Sequence, residues 1–278
     1  MKVAFWSNVR GKSCVTSNLA CISILSSMFS EEMDHRSIVF ENHQNFINLG
    51  NLLFSHNSEN FLREESVYRV NRGMSQVLRA VEEGQVYSGD IIFQNARECL
   101  GDRLLYLPNP PGLNSEVLEY QMDRNCHKVL GYLERFGHRV FVDTTAAPVR
   151  SSRKILQEAD LIVVNLVQNE TMLDQFFRNY RAIREKAFYL IGNYDENSVL
   201  TRDYIGKTYG ISERQIGLIP RHTAFLDAVS SGEIVPFLER GMRGEHDPFC
   251  QEFFDCLRET VDLFEESLEA FSCREIYA

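Results

Sequence analysis

Short apolar runs alternate with longer amphipathic stretches along most of the chain. The apolar runs predict buried strands at residues 2–6, 37–40, 103–107, 139–142, 161–167, 187–191 and 215–219. A helical spacing of apolar positions predicts helices at residues 13–29, 66–82, 115–136, 171–186 and 249–271. Strands that alternate with helices in this way favour the α/β class, with a doubly wound, mostly parallel sheet and helices on both faces.

The domain organisation follows from length and composition. A chain of 278 residues with 44% hydrophobic composition can bury a sizeable core. Because no repeat or low-complexity linker interrupts the pattern, residues 1–278 are expected to form a single domain. Residues 45–102 are the least regular segment, and we expect a helical insertion there.

The charge pattern limits the partners that the chain can bind. A formal net charge of −10 disfavours contact with DNA and with anionic lipid. The helix at 249–271 has an acidic face, so stable membrane anchoring through it is not expected. We predict that its apolar side docks on the core, with binding of a protein partner as the alternative. That side comprises Phe249, Phe253, Leu257, Val261, Phe264, Leu268 and Phe271.

Cysteine usage and hydropathy indicate the compartment. The seven cysteines include no CxxC pair, which favours reduced thiols over disulfides or a metal cluster. The sequence shows no secretory signal and no run of 18 apolar residues. We therefore expect a cytoplasmic protein that reaches a membrane only through a partner.

A candidate phosphate loop lies between the first strand and the first helix. Gly11 permits close backbone approach, Lys12 can reach β- and γ-phosphates, and the Ser13 hydroxyl can bind Mg²⁺. Backbone N–H groups from Arg10 to Cys14 would add phosphate donors at the helix N-terminus. The alternative is that GKS merely begins a helix, since the full GxxxxGKS pattern would require Gly where Trp6 stands.

A second candidate is Asp143, which ends the apolar run RVFVD. An acid at the carboxyl end of a parallel strand lies where ligands bind in open α/β sheets. Such a residue can hold Mg²⁺ through water opposite a phosphate loop. The alternative is an aspartate that only starts a turn.

The order of these and later segments resembles the MinD/ParA family of P-loop ATPases, in its CpaE/FlhG-like branch. The segment RGKSCVTSNLA is similar to the family's GKTxxxxNLA, and SIVFENHQNFINLGNLL to its switch I strand. VFVDTTAAP resembles switch II, and ADLIVV resembles a core strand of the family. IGNYD resembles its base-contacting asparagine segment, and GLIPRHTAFLDAVSSGEIVPFL its proline-containing motif. These matches span residues 1 to 240 in family order.

The resemblance implies binding of ATP and Mg²⁺ on one P-loop NTPase-like domain. Lys12 and Ser13 would bind phosphate and metal, and Asp143 would act on Mg²⁺ through water. Asn193 would contact adenine, with Pro220 and Arg221 lining the base; alternatively these three are a turn residue, a strand end and a surface cation. The family also implies a nucleotide-dependent homodimer that positions or recruits a partner assembly, such as pilus or secretion machinery.

Departures from the family pattern concern the catalytic half of the site. Ser7 stands where the family has a signature lysine that crosses the dimer interface, and Asn8 and Val9 replace its paired glycines. Arg10 is hypothesised to substitute for that lysine, with a solvated loop cation as the alternative.

The two switch I aspartates are replaced by Glu41 and His43. Because imidazole is a poorer acceptor for the attacking water, hydrolysis should be slow or absent. The alternative is that both side chains merely form a polar strand end.

Three functions therefore remain open on sequence grounds. The first is a weak ATPase switch in which Lys12, Asp143, Glu41 and His43 form the catalytic set. The second is a pseudo-ATPase scaffold that binds nucleotide weakly or not at all. A dethiobiotin-synthetase-like ligase is a third option, and a basic helix face (Arg178, Arg181, Arg184 and Lys186) offers acidic partners a contact unless it is only solvated.

Overall fold

Eight strands form one sheet in the computed structural model, which describes residues 1–30, 35–45, 47–55, 73–109 and 114–276, with side chains as far as residue 272. The strands are β1 Lys2–Trp6, β2 Ser37–Asn42, β3 Arg97–Glu98, β4 Leu104–Leu107, β5 Arg139–Thr144, β6 Leu161–Leu166, β7 Ala187–Tyr194 and β8 Ile216–Pro220. Their order is β3-β4-β2-β5-β1-β6-β7-β8, and only the pairing of β3 with β4 is antiparallel. Each predicted strand is present to within a few residues.

Helices cover both faces of this sheet. They are α1 Val15–Phe29, α2 Leu49–Leu53, α3 Met74–Glu82, α4 Asp90–Asn95, α5 Ser115–Glu134, α6 Arg150–Glu158, α7 Glu170–Asn179, α8 Arg181–Arg184, α9 Arg202–Tyr209, α10 Thr223–Ser231, α11 Ile234–Met242 and α12 Gln251–Ile276. Side chains of α1, α2, α10, α11 and α12 pack on one face, and those of α3 to α7 and α9 on the other. The predicted doubly wound architecture is confirmed.

The helix α12 docks on the core, as its apolar stripe predicted. Phe253, Leu257, Val261, Phe264 and Leu268 are all buried. The inclusion of Phe249 in that stripe was wrong. Its side chain is 93% exposed, because it lies in a 3-10 turn, Pro248–Cys250, before α12 begins.

Polar contacts fix α12 against strands at the edge and at the centre of the sheet. The Thr260 hydroxyl accepts from the backbone N–H of Leu218 in β8 (2.9 Å) and donates to its carbonyl (2.7 Å). Arg139 at the start of β5 donates twice to the carboxylate of Glu265, at 2.6 Å each. These contacts supply a direction and a register that the apolar stripe alone would not fix.

The predicted helix at 171–186 was wrong as a single element. It breaks at Tyr180, whose backbone leaves the helical region (φ −115°, ψ 47°) while its ring packs 5.0 Å from that of Trp6. The basic face divides with it: Arg178 pairs with Asp174, and Lys186 donates to carbonyls of Gln157 and Ala159.

The irregular segment between β2 and β4 contains α2, α3, α4 and the short strand β3 in its described part. The helix predicted from residue 66 is described only from Met74, after Gly73; residues 66–72 lie outside the described range. Among the described residues, no helix is both long and apolar enough to cross a bilayer.

Candidate functional site

The predicted site residues lie at or just beyond the carboxyl ends of five strands, β1, β2, β5, β7 and β8. The central strands β2, β5 and β1 are neighbours, so their carboxyl ends open on one edge of the sheet. Glu41 and Asp143 lie directly opposite each other in the pairing of β2 with β5. This register brings together two acids that are about 100 residues apart in the chain.

The loop between β1 and α1 contains the exposed residues Arg10, Gly11 and Lys12. Gly11 has φ +69°, and a Cβ there would meet no atom within 4 Å, so the space beside it is open. Among the described residues, neither Arg10 nor Lys12 forms an ion pair, and the N–H groups of residues 10–13 donate no hydrogen bond. Free donors, a flexible backbone and a cation are the components of a phosphate cradle.

The residue at the position of the family's lysine has a structural role. Ser7 is buried, its hydroxyl donates to the carbonyl of Asn165 (2.8 Å), and it accepts from the N–H of Val9 (3.2 Å). A lysine there would have no room for its charged end. The candidate phosphate loop therefore starts from a neutral anchor, and Arg10 is the cation that lies nearest in sequence to Lys12.

Trp6 occupies the position where the phosphate-loop pattern has glycine. It is the last residue of β1, it is buried, and its ring packs against Phe176 and Tyr180 at centroid distances of 6.3 and 5.0 Å. The side chain thus contributes to the hydrophobic core beside the loop, which begins one residue later.

A buried amide brace holds the far end of the loop. Asn18 of α1 donates to the carbonyl of Ser13 (3.1 Å) and to Oδ1 of Asn165 in β6 (2.7 Å). Asn165 in turn donates to the carbonyl of Trp6 (3.2 Å). Gly192 of β7 lies so close that a Cβ there would be 2.4 Å from Nδ2 of Asn18. The loop is therefore tied to three strands.

A hydroxyl from α1 reaches Asp143, and it belongs to Thr16 and not to Ser13. The Ser13 hydroxyl donates to the carbonyl of Val9 (3.3 Å), whereas Thr16 of α1 donates to Oδ2 of Asp143 at 2.6 Å. The helix also begins at Val15, two residues later than predicted, because Cys14 adopts a left-handed conformation (φ 53°). Sequence reasoning missed Thr16, although its place in the first turn after GKS was a usable signal.

Glu41, His43 and Asp143 form a compact buried cluster. One donor atom from each lies within 4.8 Å of the others, and His43 Nε2 is 3.1 Å from Asp143 Oδ2. Glu41 and Asp143 are each 2% exposed, and the His43 side chain is 7% exposed. The structure thus brings together three of the four residues that the sequence predicted as a catalytic set; the fourth, Lys12, lies on the exposed loop.

Neighbouring groups hold the Glu41 carboxylate on both sides. It accepts from the backbone N–H of Leu49 at 2.8 Å and from the Tyr106 hydroxyl at 2.9 Å. The Asn109 amide donates to the carbonyls of Glu41 and His43, at 3.0 and 2.9 Å, which fixes the chain where β2 ends. Tyr106 and Asn109 were not predicted, because only the fold brings them to β2.

The electrostatics of the cluster follow from its burial. Burial raises the pKa of Glu41 to about 7, helped by Asp143 and opposed by His43 and the two hydrogen-bond donors. Burial alone would lower the pKa of His43, but the carboxylates of Asp143 and Glu41 outweigh it and raise that pKa. The cluster is therefore one of coupled acidic groups around a single imidazole.

The predicted base-contacting residues lie together at the ends of β7 and β8. The pairing of these strands shifts between Gly192 and Tyr194, so Asn193 forms a bulge; it is exposed, with φ 51°. Tyr194 pairs with Pro220, and the N–H of Arg221 donates to the Tyr194 carbonyl at 2.9 Å. A bulge of this kind re-aims a side chain away from the sheet.

No family model matches the sequence, and no curated protein matches it. Solved structures do match over nearly the whole chain. A ParA family ATPase from Chlorobium tepidum is 15% identical, with a TM-score of 0.66 over 94% of this chain and 97% of that one. The chain has the fold of the ParA and MinD ATPases. This result confirms the fold implied by the motif order.

Two further structures with this fold hold nucleotides. MinD from Pyrococcus horikoshii, complexed with Mg-ADP, is 12% identical, with a TM-score of 0.65 over 96% of this chain and 99% of that one. A plasmid partition protein from Borrelia burgdorferi bound to AMPPNP is 10% identical, with a TM-score of 0.60 over 95% and 98%. At such identities the likeness concerns the fold.

The residues of this chain fit the two parts of a magnesium nucleotide unequally. The loop fits a phosphate, since it presents Lys12, free N–H donors and open space at Gly11. The two residues predicted for magnesium already have partners within the protein: the Ser13 hydroxyl donates to Val9, and Asp143 accepts from Thr16 and contacts His43. We therefore assign no chemical step to magnesium.

Proposed function

We propose that the protein is a nucleotide-binding switch that takes the phosphates of ATP on the loop at residues 7–14. The observation that carries this proposal is the exposed Lys12 on the loop that follows the central strand β1. Beside it, the backbone N–H groups of residues 10–13 donate no hydrogen bond to the described residues. A phosphate would satisfy these donors and the N-terminus of α1 together. The amide brace of Asn18 and Asn165 supports the role, because it holds the loop ready for the ligand.

The adenine end of the nucleotide is assigned to the bulge at Asn193 and the adjoining Pro220 and Arg221. Asn193 is on β7, Pro220 ends β8 and Arg221 follows it, so all three lie on the same side of β1 in the sheet order. Gly192 contacts the helix that follows the loop. An exposed amide beside a proline ring and a guanidinium offers hydrogen bonds and stacking to a base. This placement supports a nucleoside triphosphate over inorganic phosphate.

Hydrolysis is proposed to be slow or absent. Both oxygens of Glu41 already accept hydrogen bonds, and His43 is held against Asp143. His43, which stands in place of the second switch I aspartate, is thus not free to orient a water molecule. The same contacts favour the second candidate function, a scaffold that binds the nucleotide without hydrolysing it.

As a switch, the protein is proposed to form a nucleotide-dependent homodimer that recruits a partner assembly. Arg10 supports this role, since it is an exposed, unpaired cation of the phosphate loop within the described structure. The resemblance of the sequence to CpaE-like proteins suggests pilus or secretion machinery as that assembly.

A calorimetric titration with ATP, first in EDTA and then in Mg²⁺, tests the phosphate site. Wild type should bind one equivalent, and Lys12→Ala should weaken binding by at least about 10-fold, as expected for loss of a charged contact of roughly 1.5–3 kcal/mol. Lys207→Ala is the matched control, since it removes an exposed lysine whose ion pair in the described structure is with Asp203 on α9. Absence of heat in all three proteins would refute nucleotide binding.

Two further measurements separate the candidate functions. Steady phosphate release that is lost in Lys12→Ala would exclude the scaffold and establish a weak ATPase. Light scattering with and without ATP should show a dimer only with nucleotide, and Arg10→Ala should remain monomeric. If Arg10→Ala dimerises like wild type, Arg10 is only a solvated loop residue.

A further inference from the structure

The cluster of Glu41, His43 and Asp143 has the chemistry of a metal site that differs from a magnesium nucleotide site. Its donors are one imidazole and two carboxylates, and each offers a ligand atom within 4.8 Å of the other two. Magnesium prefers an octahedron of oxygen ligands and keeps several waters, whereas imidazole suits first-row transition metals such as Fe²⁺, Ni²⁺ and Zn²⁺. We propose that these three residues directly bind a divalent transition cation.

The pairing register of strands β2 and β5 brings the ligands of this site together. Glu41 and Asp143 are paired residues on the adjacent parallel strands β2 and β5, so their side chains leave the sheet on the same face. His43 lies two residues after Glu41, just beyond the end of β2, and reaches the same point. Two of the three ligand side chains therefore belong to adjacent strands of the buried sheet, and the third directly follows one of these strands.

The charge balance also favours a cation. Two carboxylates are buried side by side, and among the described residues no lysine or arginine pairs with either. Buried charges are normally paired or bound to a metal, because leaving them unpaired costs several kcal/mol each. His43 is the only basic side chain in the described cluster, and it pairs with Asp143.

Free lone pairs remain for a metal after the existing hydrogen bonds are counted. Oδ2 of Asp143 accepts from Thr16 and contacts His43, while Oδ1 accepts no hydrogen bond from the described residues. Each oxygen of Glu41 accepts one bond, from Leu49 or Tyr106, and each retains a second lone pair.

These outer contacts resemble the supports that orient metal ligands in proteins, where neighbouring donors fix each carboxylate. On binding through Nε2, His43 would exchange its contact with Asp143 for the metal and carry its proton on Nδ1. The long contact from the N–H of Asn45 to Nδ1 (3.4 Å) would then be released.

The test uses the full-length chain without nucleotide, after chelator treatment. Mn²⁺ is the first probe, because the six described free cysteines could bind Zn²⁺ adventitiously. Electron paramagnetic resonance should count one bound Mn²⁺, with an affinity at least about 100-fold above that for competing Mg²⁺. Co²⁺ should show an absorption spectrum of nitrogen and oxygen ligation without a thiolate band.

Variants assign the ligands. His43→Ala should weaken Mn²⁺ binding by at least about 100-fold, since loss of even an outer partner weakens metal sites about 10- to 100-fold. Tyr106→Phe, which removes one such partner, should weaken it by about 10-fold. His127→Ala is the control, because it removes an exposed histidine that also pairs with a carboxylate, Glu158.

A selectivity swap keeps the proposal falsifiable if the alanine variant folds poorly. His43→Asp presents a third carboxylate, and it should lose preference for Mn²⁺ and gain affinity for Mg²⁺. Circular dichroism of each variant checks the fold. Equal binding of Mg²⁺ and Mn²⁺ by wild type, or Mn²⁺ binding that His43→Ala leaves unchanged, would overturn the proposal.

The metal site does not depend on nucleotide binding. Lys12→Ala should bind Mn²⁺ as wild type does, even though it is expected to lose ATP. Coupled loss of both ligands in Lys12→Ala would show that the cation enters only with the nucleotide, and would overturn an independent site.

Discussion

Gly192→Ala tests whether the amide brace holds the phosphate loop. Gly192 has no left-handed backbone, so alanine is compatible with its conformation and the effect is steric. The new Cβ would lie 2.4 Å from Nδ2 and 2.5 Å from Oδ1 of Asn18. Carbon and nitrogen atoms in contact are about 3.5 Å apart, so one of the two groups must move by about 1 Å.

The magnitude follows from what Asn18 would lose by moving. Its amide is buried and donates to Ser13 and to Asn165. A neutral hydrogen bond contributes about 1 kcal/mol net, and a buried acceptor left unpaired costs about 1–3 kcal/mol. We therefore expect Gly192→Ala to lower the free energy of unfolding by about 2–4 kcal/mol and to weaken ATP binding.

Equilibrium urea unfolding measures this loss, and Gly131→Ala is its control. Gly131 lies inside α5, where a Cβ would meet nothing within 4 Å, so alanine should stabilise the protein by about 0.5–1 kcal/mol. In the double variant Asn18→Ala/Gly192→Ala, the Gly192→Ala change should cost little further stability, because the Asn18 amide with which the new Cβ would clash has been removed. A loss below 0.5 kcal/mol for Gly192→Ala, or strictly additive losses in the double variant, would refute the reasoning.

Three further predictions address the loop, the terminal helix and pH. Trp6 is the chain's single tryptophan and adjoins the phosphate loop, so its fluorescence should change saturably with ATP in wild type and stay constant in Lys12→Ala. Phe264 is buried between the rings of Phe141 and Phe188, so Phe264→Ala should cost about 3–5 kcal/mol in urea unfolding, while the exposed Phe249→Ala should change stability by less than about 0.5 kcal/mol. Burial lowers the pKa of His222 below its usual 6.5; the unfolded chain then binds the proton more tightly, and stability should fall as the pH drops from 6.5 through the folded pKa. His222→Gln should flatten this pH dependence, and an unchanged slope would contradict it.

Seven of the eight strands were predictable because each contains a short apolar run; β3, which consists of two charged residues, was not predicted. Their alternation with helices sufficed to predict a parallel sheet, and hence that Lys12, Asp143 and Asn193 would lie along its carboxyl edge. The reason is general: right-handed crossover connections return every parallel strand in the same direction. The local sequence therefore sufficed to predict the α/β architecture and the edge of the sheet where the candidate site residues lie.

Contacts made across the fold were not predictable from local sequence. Nothing near Tyr180 indicates a helix break, since the break follows from packing of its ring against Trp6 on another element. Likewise, the contacts of Asp143 with Thr16 and His43 depend on how β2, β5 and α1 meet. One signal was available for the brace: Asn165 is a lone amide inside the apolar run LIVVNLV, and such a residue requires buried partners.

The hydroxyl of Thr260 has a consequence for how copies of the protein can meet. By bonding both outward backbone groups of Leu218, it occupies the middle of β8, which is an outermost strand of the described sheet. At the opposite side, β3 is only two residues long and both, Arg97 and Glu98, are charged. Blocked or very short, charged border strands resist the addition of a foreign strand and the aggregation that follows. Strand addition at the sheet's borders is thereby disfavoured, which leaves the loop-bearing end and the helical faces as the surfaces through which copies could make contact.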